Sequence, residues 1–398
     1  MKSLIIRSVA CASMLCGASA TLSAQSPFQS AVDCIVAHSP KVQAAAKSAT
    51  SERLELQMSN RLADPELEGA YQWGQGGVGD KWEAGVSQSF DWPGVYAARS
   101  RANGRKSEAL QWLVEATAND VRMEAATALI DYVWANQQTH ITESVLQQMQ
   151  TLESAYDKAF QHGEATILDV NKTRLTRIDA SRAHTAALSY LNAVRSSVCG
   201  MAPMLDVDSL LATVNDYPAQ QLYSLEQYQG AVSGHDPMIR SLSLSADAAM
   251  ANVSVARRSQ MPGFKVGYSH LCELGDHFNG ISFGLNLPVF SAHNKVAAAQ
   301  AAAEAAELEL TQNRVSLMSR TAALYAEAKA LAEEIGRYGA VATDPRPVQL
   351  LKQALDGGEI NLLTYLQEVA YFNEAAMSYL ELQKQYHTVV ATLNRYIR

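Results

Sequence analysis

The stretch FQHGEATILDV (160–170) returns in weakened form as ALDGGEINLLTYL (354–366). In both, a Gly-Glu pair interrupts long runs that lack helix breakers: Gly163-Glu164, then Gly358-Glu359, 195 positions later. Glycine takes the left-handed conformation that ends a helix, and an acidic residue suits the N-terminus of the next one. Each pair therefore predicts the tip of a helical hairpin whose second arm, 164–199 or 359–398, returns antiparallel to the first.

Working outward, other landmarks recur at a nearly constant offset. His38-Ser39-Pro40 matches His235-Asp236-Pro237, Pro65 matches Pro262, Tyr71 matches Tyr268 and Phe90 matches Leu287, each 197 apart. Repetition on this scale sets the architectural unit. It predicts two structural repeats, 25–200 and 222–398, joined by a linker at 201–221.

Each copy has the same grammar. Residues 41–64 and 238–261 contain no Gly or Pro and lie between prolines, so they read as helices. The period then changes to two. Leu67, Gly69, Tyr71 and Trp73 share one face against Glu66, Glu68, Ala70 and Gln72; Trp82, Ala84, Val86 and Phe90 oppose Glu83, Gly85, Ser87 and Ser89. In the second copy Phe264–His270 and Asn279–Leu287 repeat the pattern. One β-hairpin is predicted per copy, at about 65–90 and 263–288.

After the corners DWPG and LPVFSAHNK, the runs 105–162 and 292–335 are free of Gly and Pro. As helices they would extend about 87 and 66 Å, lengths a globular domain does not need. Leu362, Leu366, Val369, Ala376 and Leu380 form a coiled-coil seam, while Arg174, Arg177 and Arg182 interrupt the equivalent run in the first copy. The stretch GRYGAVATDPRP (336–347) predicts a break in the second long helix.

Composition narrows the function. Residues 1–24, with Lys2, Arg7, an apolar stretch and Leu22-Ser23-Ala24, have the plan of a cleavable signal peptide. Cys16 follows Leu15, whereas a lipid-anchor motif needs a small residue there. Removing the leader leaves Cys34, Cys199 and Cys272, too few for a disulfide framework; whether Cys34 and Cys199 form a bridge stays open. A net charge of −8 argues against nucleic acid. No segment has the roughly 20 apolar residues of a membrane-spanning helix. No nucleophile elbow, phosphate-binding loop or His-Glu-x-x-His motif occurs, so no enzyme and no cofactor is expected.

Four strands cannot close a barrel, and an open sheet in lipid leaves backbone groups unpaired. Two readings of the hairpins stay open: a small soluble sheet packed on the helices, or a lipid-facing belt completed by other protomers. In the second, Glu66, Glu68 and Glu83 would face a water-filled lumen, and Tyr71, Trp73, Trp82 and Trp92 would form interfacial girdles.

The tandem repeat, a hairpin between a short and a very long helix, and the tip residues Gly163, Thr166, Leu168, Asp169 and Val170 resemble the TolC-type outer-membrane factors, near their cation-efflux branch. The resemblance spans the mature chain. The tip at Gly358 to Leu366 matches only in Gly358 and its apolar positions. What the resemblance implies is a mainly α protomer whose two hairpins complete a 12-stranded trimeric barrel in the outer membrane of a Gram-negative bacterium, with helices forming a periplasmic tunnel. It implies a periplasmic adaptor docking at the tips (Gly163, Glu164, Thr166, Leu168, Asp169, Val170, Gly358, Glu359 and Leu363). The adaptor's partner would be an inner-membrane pump, of the resistance-nodulation-division type. Family members often gate the tunnel with acids at positions that here hold Thr364 and Gln367, so gate charge would have to come from Asp169, Glu359 or Glu368.

The resulting expectation is a passive exit duct for small solutes such as metal cations or drugs, in a tripartite efflux or type I secretion system. The alternative is a soluble periplasmic coiled-coil scaffold. Separately, HLCELGDHF gathers His270, Cys272, Glu273, Asp276 and His277, all metal-ligand types; the bland reading, a solvated loop between strands, is preferred, and no metal is expected.

Overall fold

The computed structural model describes residues 26–76, 79–288, 293–342, 344 and 346–397. The expected signal peptide, with Cys16, lies outside these residues, as does part of each punctuated stretch at 287–295 and 336–347.

The chain runs α1 (Pro27–His38), α2 (Pro40–Met58), β1 (Glu66–Gln72), β2 (Lys81–Phe90), α3 (Pro93–Gln161), α4 (Ile167–Met201) and α5 (Val207–Leu211). It continues with α6 (Leu225–His235), α7 (Pro237–Arg258), β3 (Gly263–Glu273), β4 (Asp276–Asn286), α8 (Lys295–Ala342), α9 (Arg346–Asp356) and α10 (Leu362–Asn394). Pro40, Pro93 and Pro237 each open a helix, where the missing N–H costs nothing. Ser39 and Asp236, the paired N-caps of α2 and α7, are both buried.

With 69 residues, α3 is about 104 Å long. It begins at Pro93, not at 105 as expected, and passes through Gly94 and Gly104. A helical Gly costs about 1 kcal/mol relative to Ala, little against the packing along so long a rod. At Gly94 the absent side chain makes room for Arg258, whose Nη1 would lie 2.8 Å from an added Cβ. Likewise α8 runs past Gly336 and Gly339 to Ala342, so the expected break falls later than GRYG; the Tyr379 ring packs where a Gly339 side chain would stand.

The core has three centres along the rods. Ile35, Leu129, Ile130 and Val198 join α1 to the middle of α3 and the end of α4. Tyr228, Ala328 and Val390 join α6, α8 and α10. Nearer the tips, Met149, Ala180, Tyr365 and Val369 tie the α3–α4 hairpin to α10. Arg174 and Arg177 meet Glu153 of α3, which explains the cations that interrupt the first copy's seam.

The two hairpins are not separate. They merge through β2–β3 into one antiparallel sheet of order β1-β2-β3-β4. Among the described residues no helix covers it: β1 and β4 are exposed at every residue, which speaks against a sheet packed on the helices. Cys34, Cys199 and Cys272 are free thiols, so no Cys34–Cys199 bridge forms. Among the described residues, no helix is long and apolar enough to cross a membrane.

Candidate functional site

Cross-strand register sorts the sheet into two faces. Tyr71 pairs with Trp82, Trp82 with Cys272 and Cys272 with His277; lower down, Leu67 pairs with Val86, Val86 with Tyr268 and Tyr268 with Ile281. Directly opposed residues share a face, so this side gathers Leu67, Tyr71, Trp82, Val86, Val266, Tyr268, Ile281, Phe283 and Leu285. It is apolar and bare: Leu67 is 86% and Phe283 80% exposed. Trp73 lies just beyond β1 at the end remote from the helices. Trp92, N-cap of α3, sits at the other end, 5.6 Å from the Phe264 ring. Ten residues of strand separate Trp82 from Trp92, which at a tilt of about 45° spans roughly 25 Å, the height of a bilayer's apolar band.

The opposite face carries Glu66, Glu68 and Glu83 with Ser87, Gly267, Ser269 and Ser282. It also holds a cation that pattern reading missed. Lys265 of β3 spans β2 and reaches Glu66 at 2.7 Å and Glu68 at 3.0 Å. Local sequence gave no signal for this, because the partners stand two strands and almost 200 positions apart.

The HLCELGDHF stretch, expected as a solvated loop, is not a loop. The strands extend to a two-residue turn, Leu274-Gly275, with φ of 53° and 89°. Both central residues are left-handed, as in a type I′ hairpin; the leucine disguised it. Alternation then puts Glu273 and Asp276 on the polar face and His270, Cys272 and His277 on the apolar one. The five cannot form one ligand set, and among the described residues no three such side chains stand at metal-holding distance.

The helical tips share one construction. Gly163 and Gly358 have φ of 76° and 73°. Glu164 N–H bonds to Ala159 C=O and Glu359 N–H to Ala354 C=O, both at 2.8 Å, the Schellman pattern. The glutamates thus close the preceding helix and do not enter the first turn of the next, contrary to expectation. That place belongs to Asp169 and Thr364. Thr166 caps α4 in a reciprocal box with Asp169, whose carboxylate accepts from Thr166 Oγ1 at 2.6 Å and from its N–H at 3.2 Å. These bonds hold the Asp169 carboxyl below its usual range. At the second tip Asn361 caps α10 by accepting from Thr364 N–H at 2.9 Å, and the first turn holds no acid. Gln367 and Glu368 are exposed on the next turn. Tyr156 lies under both tips: burial raises its pKa, and the charges of Asp169 and Asp356 add to the effect.

The tips differ in what they expose. Ile167 and Leu168 are 53% and 67% exposed, Phe160 at the end of α3 is exposed too, and Val170 is buried. At the second tip Leu363 is exposed, but Leu362, in the place of Ile167, is buried with Tyr365.

Residues 231–397 match the family model of the outer membrane efflux proteins. The matched stretch contains α7, β3, β4 and the second tip. The fold is shared over a longer span: a membrane protein from Pseudomonas aeruginosa aligns with a TM-score of 0.77 at 15% identity, covering 93% of this chain and 90% of that one. The open-state MtrE outer membrane channel of Neisseria gonorrhoeae aligns at 0.74 and 14%, covering 93% and 88%. The Campylobacter jejuni CmeC outer membrane channel aligns at 0.72 and 15%, covering 93% and 85%. No curated protein matches the sequence. At such low identity the solved structures speak for fold alone.

Proposed function

We propose that the protein is the passive outer-membrane exit duct of a tripartite pump, with type I secretion as the other setting such a duct serves. The observation that carries this is the bare sheet at the end of long helices, α3 alone extending about 100 Å: the sheet is apolar on one face, polar on the other, with β1 and β4 unpaired at its edges. Such a sheet is stable in lipid only when closed. Three protomers supply twelve strands, and the polar face then lines the lumen.

The two halves of the chain, 25–200 and 222–398, each give one hairpin to the barrel and one helical hairpin to a periplasmic tunnel. Tip residues Gly163 to Val170 and Gly358 to Leu363 dock the adaptor of a resistance-nodulation-division-type pump, which supplies the energy. Adaptor binding favours a dilated arrangement of the coiled coils over a sealed one. Asp169, Glu359 and Glu368 supply the charge at the mouth, without an acid at Thr364 or Gln367. Metal cations are the first cargo to test, drugs the second, because acids outnumber Lys81 and Lys265 on the lumen face.

Single-channel conductance of detergent-extracted protein, with crosslinked oligomer size read in parallel, tests the reading. A cation-preferring conductance from a trimer is expected. A monomer that needs no detergent and conducts nothing would leave the coiled-coil scaffold instead.

A further inference from the structure

The duct reading does not use the outer end of β3 and β4, where polar side chains interrupt the apolar face. His270 Nδ1 stands 2.8 Å from Asn279 Oδ1, and Tyr268 Oη donates to the same oxygen at 2.7 Å. An amide oxygen only accepts, so His270 carries its proton on Nδ1 and presents the Nε2 lone pair outward. That lone pair meets His277 Nδ1 at 3.3 Å, longer than the usual 2.9–3.0 Å of an N–H hydrogen bond. Two imidazole nitrogens bound tetrahedrally to zinc at about 2.0–2.1 Å stand roughly 3.3 Å apart.

We propose that His270 Nε2 and His277 Nδ1 form a bidentate site for a divalent transition ion, zinc or copper, on the outer end of the sheet. The Asn279 bond to the second ring nitrogen is what a metal-bound histidine requires, since it fixes the tautomer and the ring. Cys272, a free thiol directly opposite His277 and on the same face, is the nearest soft donor in the register; water completes the coordination. The bound ion clamps the strands beside the strained Leu274-Gly275 turn. The site lies within one hairpin, so it does not depend on barrel closure or on the duct reading.

Full-length, detergent-extracted protein is titrated with Zn²⁺ by calorimetry, alongside the single His277→Ala and the double His270→Ala, His277→Ala variants. One ion per chain is expected, lost in the double variant and at least about tenfold weaker in the single one and in Asn279→Leu. Copper provides a second readout: the Trp82 ring centre lies 5.3 Å from that of His270, so Cu²⁺ quenches Trp82 fluorescence in the wild type and not in the double variant or in Trp82→Phe. Unchanged zinc affinity in both histidine variants, or no binding by the wild type, would overturn the site and reduce the pair to a hydrogen bond.

Discussion

Lys265 crosses a whole strand to place its ammonium between Glu66 and Glu68, at 2.7 and 3.0 Å. The small side chains of β2 on this face, Ser87 and Ser89, leave the path open. All three charges face the polar side near the helices, so in a closed barrel they form a ring of two acids and one base per protomer. Lys265→Gln removes the base and leaves both acids. In a salt gradient the reversal potential of single channels should move toward that of an ideal cation channel, while Glu66→Gln with Glu68→Gln should move it the other way. Potentials that stay put in a conducting protein would place selectivity elsewhere along the tunnel.

Gly267 sits beside that ion bridge, between Ser87 and Ser282. A Cβ added there would meet Ser282 Oγ at 2.6 Å, Ser87 Cβ at 3.1 Å and the Val86 carbonyl at 3.2 Å. The hydroxyl can rotate away, but the other two contacts are fixed by the strand pairing. Gly267→Ala should cost about 1–3 kcal/mol, as overpacking does. At Gly280 the nearest atom would be Ser269 Oγ at 3.7 Å, so Gly280→Ala should be tolerated. Thermal unfolding of the two variants side by side checks the contrast.

Ile167 and Leu362 occupy matching places after the two tip glycines, one 53% and the other 6% exposed. Ile167→Glu should leave the melting temperature unchanged and abolish adaptor crosslinking and export. Leu362→Glu buries an unpaired charge and should cost several kcal/mol. If Ile167→Glu exports normally, docking does not use this patch.

Much of this arrangement was legible because its signals are local. Gly163 and Gly358 punctuate helices, and alternation around Tyr71, Trp82 and Ile281 reads directly as a two-faced strand. What escaped depended on distant partners. The helices continue through Gly94 and Gly339 because Arg258 and Tyr379 fill the space beside them. The β2–β3 pairing that fuses two hairpins joins residues more than 170 positions apart, as in Phe90 with Phe264. Lys265 drew no notice on its own strand, and Leu274 at positive φ hid a tight turn that Asn or Asp would have announced. At the first tip, the reciprocal cap between Thr166 and Asp169 was not read from the sequence; it holds the acid charged at the tip.

His387 offers a test of the middle of the molecule, where α10 meets the linker after α5. Its ring stacks on Tyr217 with centres 4.5 Å apart and planes 9° apart, and its buried Nδ1 has no hydrogen-bond partner among the described residues. Burial pushes its pKa down to about 4, against 6.5 for the free side chain. The unfolded chain therefore takes up a proton first as pH falls, and the folded state loses stability between pH 6.5 and about 4. The full loss is on the order of 3 kcal/mol, with nothing further lost below that window. His387→Phe keeps a flat ring against Tyr217 and removes the titration. The difference in unfolding free energy between variant and wild type should grow by roughly 2 kcal/mol from pH 7 to pH 5. A difference that does not vary with pH would mean that water reaches the ring and that His387 titrates normally in the folded protein.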